Sequence, residues 1–298
     1  TYADLTGADL SNAVLTHAIL YGAQLPYANL SDQDLSNMDF SYANLTGADI
    51  SGADLTDTKF QIANLKDVNL QNADLSQAQF VQVDFTKIKN KSLAGADLTD
   101  ASFAHSNLSG IDISRTIIDT TNFWDANLSG LDFTTVDTIT ETSFVDANLS
   151  NSNFEGVNLS PISFYTVVLE NKAHLIRGVT QSAQTEQMII DELFSSGGNW
   201  LKIVSAEVSG NDLKVTYVFF NHFGQANLKN ANFKNASLGY ASLFEANLTN
   251  ANLSGAEFEK TFFGGADLTN ANLSDAYGLL FITADTILKC KNHEICLN

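Results

Sequence analysis

Basic residues are scarce in this 298-residue chain: 15 Lys and Arg stand against 34 Asp and Glu, a formal net charge of −19. Phosphate binding needs a basic footprint, so direct nucleic-acid binding is not expected. Only two prolines occur, which excludes a proline-rich linker. Long apolar runs are missing as well. Tyr217 to Phe220 is among the longest, far short of the ~20 residues that span a bilayer. Signatures of catalysis and metal binding are absent: there is no G-x-S-x-G, phosphate loop, H-E-x-x-H or EF-hand loop. The chain starts at Thr1 rather than Met, which suggests a processed or trimmed N-terminus. Apolar residues are not lacking, at 44%, too many for a disordered chain.

The dominant signal is a repeat. Leu5, Leu10, Leu15, Leu20, Leu25, Leu30, Leu35, Phe40, Leu45 and Ile50 stand five apart, and the spacing holds to Phe85. Two residues before each is a small or apolar residue, mostly Ala, so the unit reads A-(D/N)-L-(S/T)-x. Neither a helix of period 3.6 nor a strand of period 2 keeps every fifth residue on one side. The chain must therefore turn once per unit. The phase slips by three residues near Lys87 to Gly95 and by one near Val136, then runs on through Phe144, Leu149, Phe154, Leu159, Phe164 and Leu169. It resumes from Leu228 to Leu273.

Stretches such as Ala43-Asn44-Leu45-Thr46-Gly47-Ala48-Asp49-Ile50 and Ala246-Asn247-Leu248-Thr249-Asn250-Ala251-Asn252-Leu253 resemble the pentapeptide repeat protein family. The resemblance covers about 1–169 and 225–276. It implies an all-β fold, a right-handed quadrilateral β-helix with four five-residue sides per coil. The physics agrees. The central Leu or Phe and the Ala before it face a narrow axis, while Asp, Asn, Ser, Thr and Gly face water and favour turns. Four parts are expected: a β-helix over 1–169; an α+β insert over 170–224, helix plus hairpin; a β-helix over 225–282, continuing the first axis or starting a second rod; and a C-terminal tail over 283–298.

Within the insert, residues 185–194 read as a short helix. Trp200 to Val208 and Leu213 to Phe220 read as strands joined by a turn at Ser209-Gly210-Asn211-Asp212. The insert either binds a partner, with Trp200 as a candidate contact, or caps the first solenoid.

With four units per coil, residues twenty apart stack at ~4.8 Å. Phe40, Phe60 and Phe80 then form an internal column, and Asp34, Asp54 and Asp74 an external acidic one. The acidity is concentrated early: residues 1–169 hold 21 acids and 6 bases, net −15. Within the resembled family, the quinolone-resistance proteins that protect DNA gyrase are understood to imitate DNA with such a surface. No element of this chain matches their dimerisation element residue by residue. The plain alternative is that Asp suits this repeat position and keeps a rod soluble. The regular text is more like cyanobacterial and chloroplast-lumen members.

Lys87, Lys89 and Lys91 crowd into the first slip, where the chain should bulge. They either dock an acidic partner or simply relieve acidic repulsion. His17, His105, His174, His222 and His293 are scattered and form no expected metal site. Cys290 and Cys296, the only cysteines, suit a short disulfide closing the tail. That would favour an oxidising compartment such as a thylakoid lumen or periplasm. No enzyme activity, metal or cofactor is expected. The expected function is protein binding or scaffolding within a larger assembly; the alternative is an acidic DNA mimic that occupies a protein such as gyrase.

Overall fold

The computed structural model describes residues 1–15, 18–160, 165–169, 201–209, 212–219, 221–279, 286, 288–293 and 295–296. Each five-residue unit is a short extended step followed by a corner. In the first, the Ala8 N–H donates to the Leu5 carbonyl at 3.0 Å and Gly7 sits at φ +67°. That is a turn whose third residue is left-handed. Tyr27, Asp32, Asn37 and Tyr42 take the same corner at φ 56–61°, a region non-glycine residues seldom enter. The outward Asp or Asn holds each corner in place. Asp4 Oδ1 accepts the Thr6 N–H at 3.1 Å and its hydroxyl at 2.7 Å, and Asn44 with Thr46 and Asp97 with Thr99 repeat the pair. This is the physical reason that the unit is spelled (D/N)-L-(S/T).

Four corners bring the chain over its own start. Parallel bridges join Asp4 to Gln24, Asp9 to Asn29, Asp34 to Asp54 and Asp39 to Lys59; these four columns define sides 1 to 4. The result is a right-handed quadrilateral β-helix, the hand preferred by parallel crossovers. Its lining is the every-fifth residue and its small companion: Leu25, Leu30, Leu35, Phe40 and Leu45 are fully buried, with Ala23, Ala28 and Ala43 beside them. Inside side 4, Phe40, Phe60, Phe80, Phe103, Phe123, Phe144 and Phe223 stack in one file, ring centroids 4.8–5.5 Å apart. Several Thr residues that replace the inner Ala donate their hydroxyl to a carbonyl of the coil below, as Thr121 does to Leu98 at 2.8 Å and Thr261 to Leu238 at 2.6 Å; Thr116 donates instead within its own coil, to Ile113 at 2.7 Å.

Side 2 carries a polar counterpart on the outside. Asn153 donates its amide to Asp132, Asn232 to Asn153, Asn252 to Asn232 and Asn272 to Asn252, at 3.0–3.3 Å. Every step points toward the N-terminal end.

The first slip is an eight-residue step from Asp84 to Ser92, held by 3-10 turns at Phe85–Lys87 and Lys89–Lys91. It is pinned to its neighbour rather than bulging free. Ile88 turns inward and is buried, the Lys89 N–H donates to Val68 at 2.8 Å and the Asp67 N–H to Lys87 at 2.7 Å. The second slip lies between Asp132 and Thr138, beside the pairing of β1 (Ile117–Asp119) with β2 (Thr138–Thr140).

The insert begins earlier than the repeat text implies. Leu159 is the last lining residue before it. Tyr165–Leu169, read as repeat, forms β3 instead. β3 pairs antiparallel with β5 (Asp212–Phe219), which also pairs with β4 (Leu201–Ser209). Pro161 supplies the reason. It falls two residues after a lining Leu, at the sequence position of the left-handed corner, and proline holds φ near −65°. Pro26 follows its Leu by one, where negative φ is wanted. Residues 185–194, Trp200 and the turn at 210–211 lie outside the described residues.

Beyond the insert the stack resumes one coil up. Ser143 bridges to His222, Asn148 to Asn227, Asn153 to Asn232 and Asn158 to Ser237, all in parallel. Asn221, buried in the slot normally held by Ala, fastens the junction. It donates to the Leu159 carbonyl at 2.8 Å and accepts the Thr142 N–H at 2.9 Å. At the far end Lys291 bridges to Asn272, and Cys290 takes an inner position, joined to Cys296 by a disulfide.

Candidate interaction surfaces

The sequence singles out the Asp34–Asp54–Asp74 column, and the bridges stack these three residues directly on side 3. All three are exposed. The Ser36 hydroxyl, and after it the Ser36 N–H, holds the Asp34 carboxyl below the ordinary aspartate range. Each carboxylate also serves its own corner: Asp54 accepts the Thr56 N–H and Asp74 the Ser76 N–H, both at 2.9 Å. Lys87, Lys89 and Lys91 are exposed on the first slip, and Lys87 Nζ lies 3.0 Å from Asp84 Oδ2. The lysines and the acidic column are thus separate features. Trp200 and His174 lie outside the described residues.

Sequence reasoning missed a surface on side 4. Its outward column beyond Gln79 reads Ser102, Asn122, Ser143, His222, Ser242, Phe262. The residues after each lining residue are Ala104, Trp124, Val145, Gly224, Phe244 and Gly264, where other sides most often carry Ser or Thr and otherwise mainly charged residues. The departure from (D/N)-L-(S/T) recurs at every fourth unit, a signal carried by the sequence once units are grouped by side. Its effect is an apolar face: Trp124 is 45% exposed, Phe244 38% and Phe262 41%.

These residues shape an open groove of about 610 Å³. Trp124 and Phe244 stand three coils apart, ~14 Å at ~4.8 Å per coil. Between them the floor drops to Val145 and Gly224. Trp124 is held from two directions: its Nε1 donates to Asp146 Oδ2 at 2.9 Å, and the His105 ring meets it edge-on at 4.6 Å while bonding Asp125 at 2.9 Å. Phe262 stacks on Phe244, centroids 6.0 Å apart. Two glycines make room for rings. A Cβ on Gly224 would stand 2.5 Å from His222 Cε1, and one on Gly264 2.5 Å from Phe262 Cζ.

The floor is polar in two places. His222 Nδ1 accepts the Gly224 N–H at 3.0 Å, so in the neutral ring the proton sits on Nε2. Burial keeps that ring neutral by pushing its pKa down to about 4, against a weaker opposing pull from Asp146. Ser143 Oγ is buried and, among the described residues, has no hydrogen-bond partner. Among the described residues no group of His, Cys, Asp and Glu is arranged to hold a metal ion, and no helix is long and apolar enough to cross a membrane.

Residues 1–32, 27–61, 63–87, 90–119, 139–161, 222–250 and 246–277 match the family model for pentapeptide repeats, in 8 copies. No curated protein sequence matches the chain. Among solved structures, the chain is similar to HetL of the cyanobacterium Nostoc, a pentapeptide repeat protein involved in regulating heterocyst differentiation. The two share 22% identity over 97% of this chain and 88% of that one, with a TM-score of 0.34. QnrB1, a plasmid-mediated fluoroquinolone resistance protein, is 14% identical over 90% of each chain, TM-score 0.29. A pentapeptide repeat protein of the Arabidopsis thaliana thylakoid lumen is 19% identical over 54% of this chain and 76% of its own, TM-score 0.21.

Proposed function

The chain belongs to the pentapeptide repeat family, and on that premise we propose that it is a non-catalytic, rigid protein-binding rod, one component of a larger assembly, that docks a partner through side 4. The observation that carries this reading is the gathering of Trp124, Phe244 and Phe262, all more than a third exposed, around one groove on side 4; other exposed apolar residues, among them Val14, Tyr27, Ile117 and Tyr277, do not line it. Aromatic anchors around a depression are the side chains that dominate protein interfaces. Coil-to-coil hydrogen bonds hold the groove in shape before any partner arrives, which lowers the ordering cost of binding. Carboxylates on these convex faces lack the enclosure that general acid–base chemistry needs. The Cys290–Cys296 disulfide supports an oxidising compartment, a thylakoid lumen or a periplasm.

The test is capture of proteins from the native source on the immobilised chain and on a Trp124→Ser/Phe244→Ser variant of equal thermal stability. A partner held stoichiometrically by the parent and lost by the variant is expected. Equal retention by both, or no stoichiometric partner, overturns the reading.

A second reading draws on side 3. Carboxylates at ~4.8 Å along Asp34, Asp54 and Asp74 form a regular anionic file, though sparser than duplex DNA at one charge per ~1.7 Å. Under this reading the rod occupies a nucleic-acid-binding protein such as gyrase. Supercoiling by gyrase should then fall on adding the parent and recover with Asp34→Asn/Asp54→Asn/Asp74→Asn. No effect at micromolar concentration removes it.

A further inference from the structure

Resting on the reading of side 4 as the docking side, we infer that its groove receives a linear cationic–apolar segment of the partner, with apolar side chains between Trp124 and Phe244 and Arg or Lys on the adjoining corner. The corner argument is electrostatic. Along the edge where side 4 meets side 1, Asp125, Asp146 and Glu245 follow one another with Gln225 between. Each acid is already oriented: Asp125 by His105, Asp146 by Trp124 and Glu245 by Gln225, whose Nε2 donates at 2.9 Å. Neither Lys nor Arg occupies this edge. On the opposite edge Lys260 is engaged with the Tyr240 hydroxyl at 2.7 Å. An anionic segment or an anionic lipid surface would meet like charge here, whereas a guanidinium finds carboxylates held in place.

The groove itself sets the second requirement. Allowing for ring thickness, the ~14 Å between Trp124 and Phe244 leaves about 10 Å, the width of one helix with side chains or one extended segment with its own. Its floor, lined by Ser143, Val145, His222 and Gly224, gives the apolar side chains of the segment a surface to rest on between the two rings.

The probe is a fluorescein-labelled dodecapeptide of arginine and leucine, read by anisotropy against the full chain at 0.15 M salt. Companions carry Glu for Arg or Ser for Leu. The parent should bind the first peptide at least tenfold more tightly than either companion. Trp124→Ala and Phe244→Ala should each weaken binding at least tenfold. Val145→Trp, which fills the floor without removing a ring, should do the same and guards against a truncation that unfolds. Asp34→Asn/Asp54→Asn/Asp74→Asn should leave affinity within twofold. If neutralising that distant column weakens binding as much as the groove variants, the attraction is general and the inference falls. If source proteins are lost with Trp124→Ser/Phe244→Ser but the Arg peptide is not preferred over the Glu peptide, the docking side stands and this chemistry falls. In a Trp200→Phe background acrylamide should quench Trp124 freely; a shielded indole would mean that another segment of the chain already fills the groove, and would also overturn it.

Discussion

Asn221 is the residue through which the junction at the insert is most sharply tested. Its amide satisfies two main-chain groups from different coils, the Leu159 carbonyl at 2.8 Å and the Thr142 N–H at 2.9 Å, in a position 1% exposed. Asn221→Ala removes both partners and lets in too little water to replace them. An unsatisfied buried main-chain group costs about 1–3 kcal/mol, so the substitution should cost about 2–6 kcal/mol, a large share of a typical domain's stability of about 5–15 kcal/mol. The control is Lys234→Ala, which breaks the exposed bond from Lys234 Nζ to Glu155 at 2.8 Å and should cost under about 1 kcal/mol. Urea unfolding supplies the energies and hydrogen exchange at Thr142 the mechanism. Because a solenoid is held by nearest-neighbour contacts, weakening one interface should also split the transition in two. A loss below about 1 kcal/mol with Thr142 still protected would refute the reasoning, since the two groups would then be satisfied without Asn221.

Four further outcomes are expected. For His222, whose folded pKa is depressed to about 4 from 6.5, protonation favours the unfolded chain, so its contribution is intact above pH 6.5 and is lost as pH falls toward 4, by up to about 3 kcal/mol; melting curves at pH 7 and 4.5 should show a smaller drop for His222→Gln than for the parent. Phe123→Ala, which loses stacked neighbours on both sides at 5.4 and 5.5 Å, should cost about 3–5 kcal/mol; Phe40→Ala, with one such neighbour at 5.4 Å, should cost less by about 0.5–1.5 kcal/mol, as measured by chemical denaturation. Cys296→Ser opens a loop of sequence separation 6, which should lower stability by about 2 kcal/mol and speed exchange at the Lys291 amide, now bonded to Ala271 at 2.8 Å. Neutralising Asp34, Asp54 and Asp74 to Asn should raise the melting temperature at low ionic strength, and the gain should vanish near 1 M salt, where the Debye length is about 3 Å.

The repeat, the square section and the stacking of Phe40 on Phe60 on Phe80 are legible in the chain because one physical constraint recurs in every unit. The same repetition misleads at Leu169. It stands in phase, yet it lies in β3, paired antiparallel with β5; the sequence puts Pro161 where the preceding left-handed corner would fall, and a residue that cannot take left-handed φ outweighs a matching period. The lysines at 87–91 suggest a bulge because insertions usually protrude; Ile88 instead finds the lining, and burial holds the segment down. The side-4 groove stayed hidden because its residues are spread over 102–264 and meet only when units are grouped by side. Asn221 carries no signal at all in the text. It becomes meaningful only when Leu159 and Thr142, 62 and 79 residues away, are known to flank it.

The junction at Leu159 and Asn221 has a practical corollary. Chain leaves the stack and rejoins it within reach of a single amide group, and the coils above and below keep their alignment as if nothing had been spliced in. The rod therefore works as a mast with a ready mounting point: any folded module whose ends lie side by side could replace residues 161–220 and be carried at a fixed height and azimuth, without retuning a single rung.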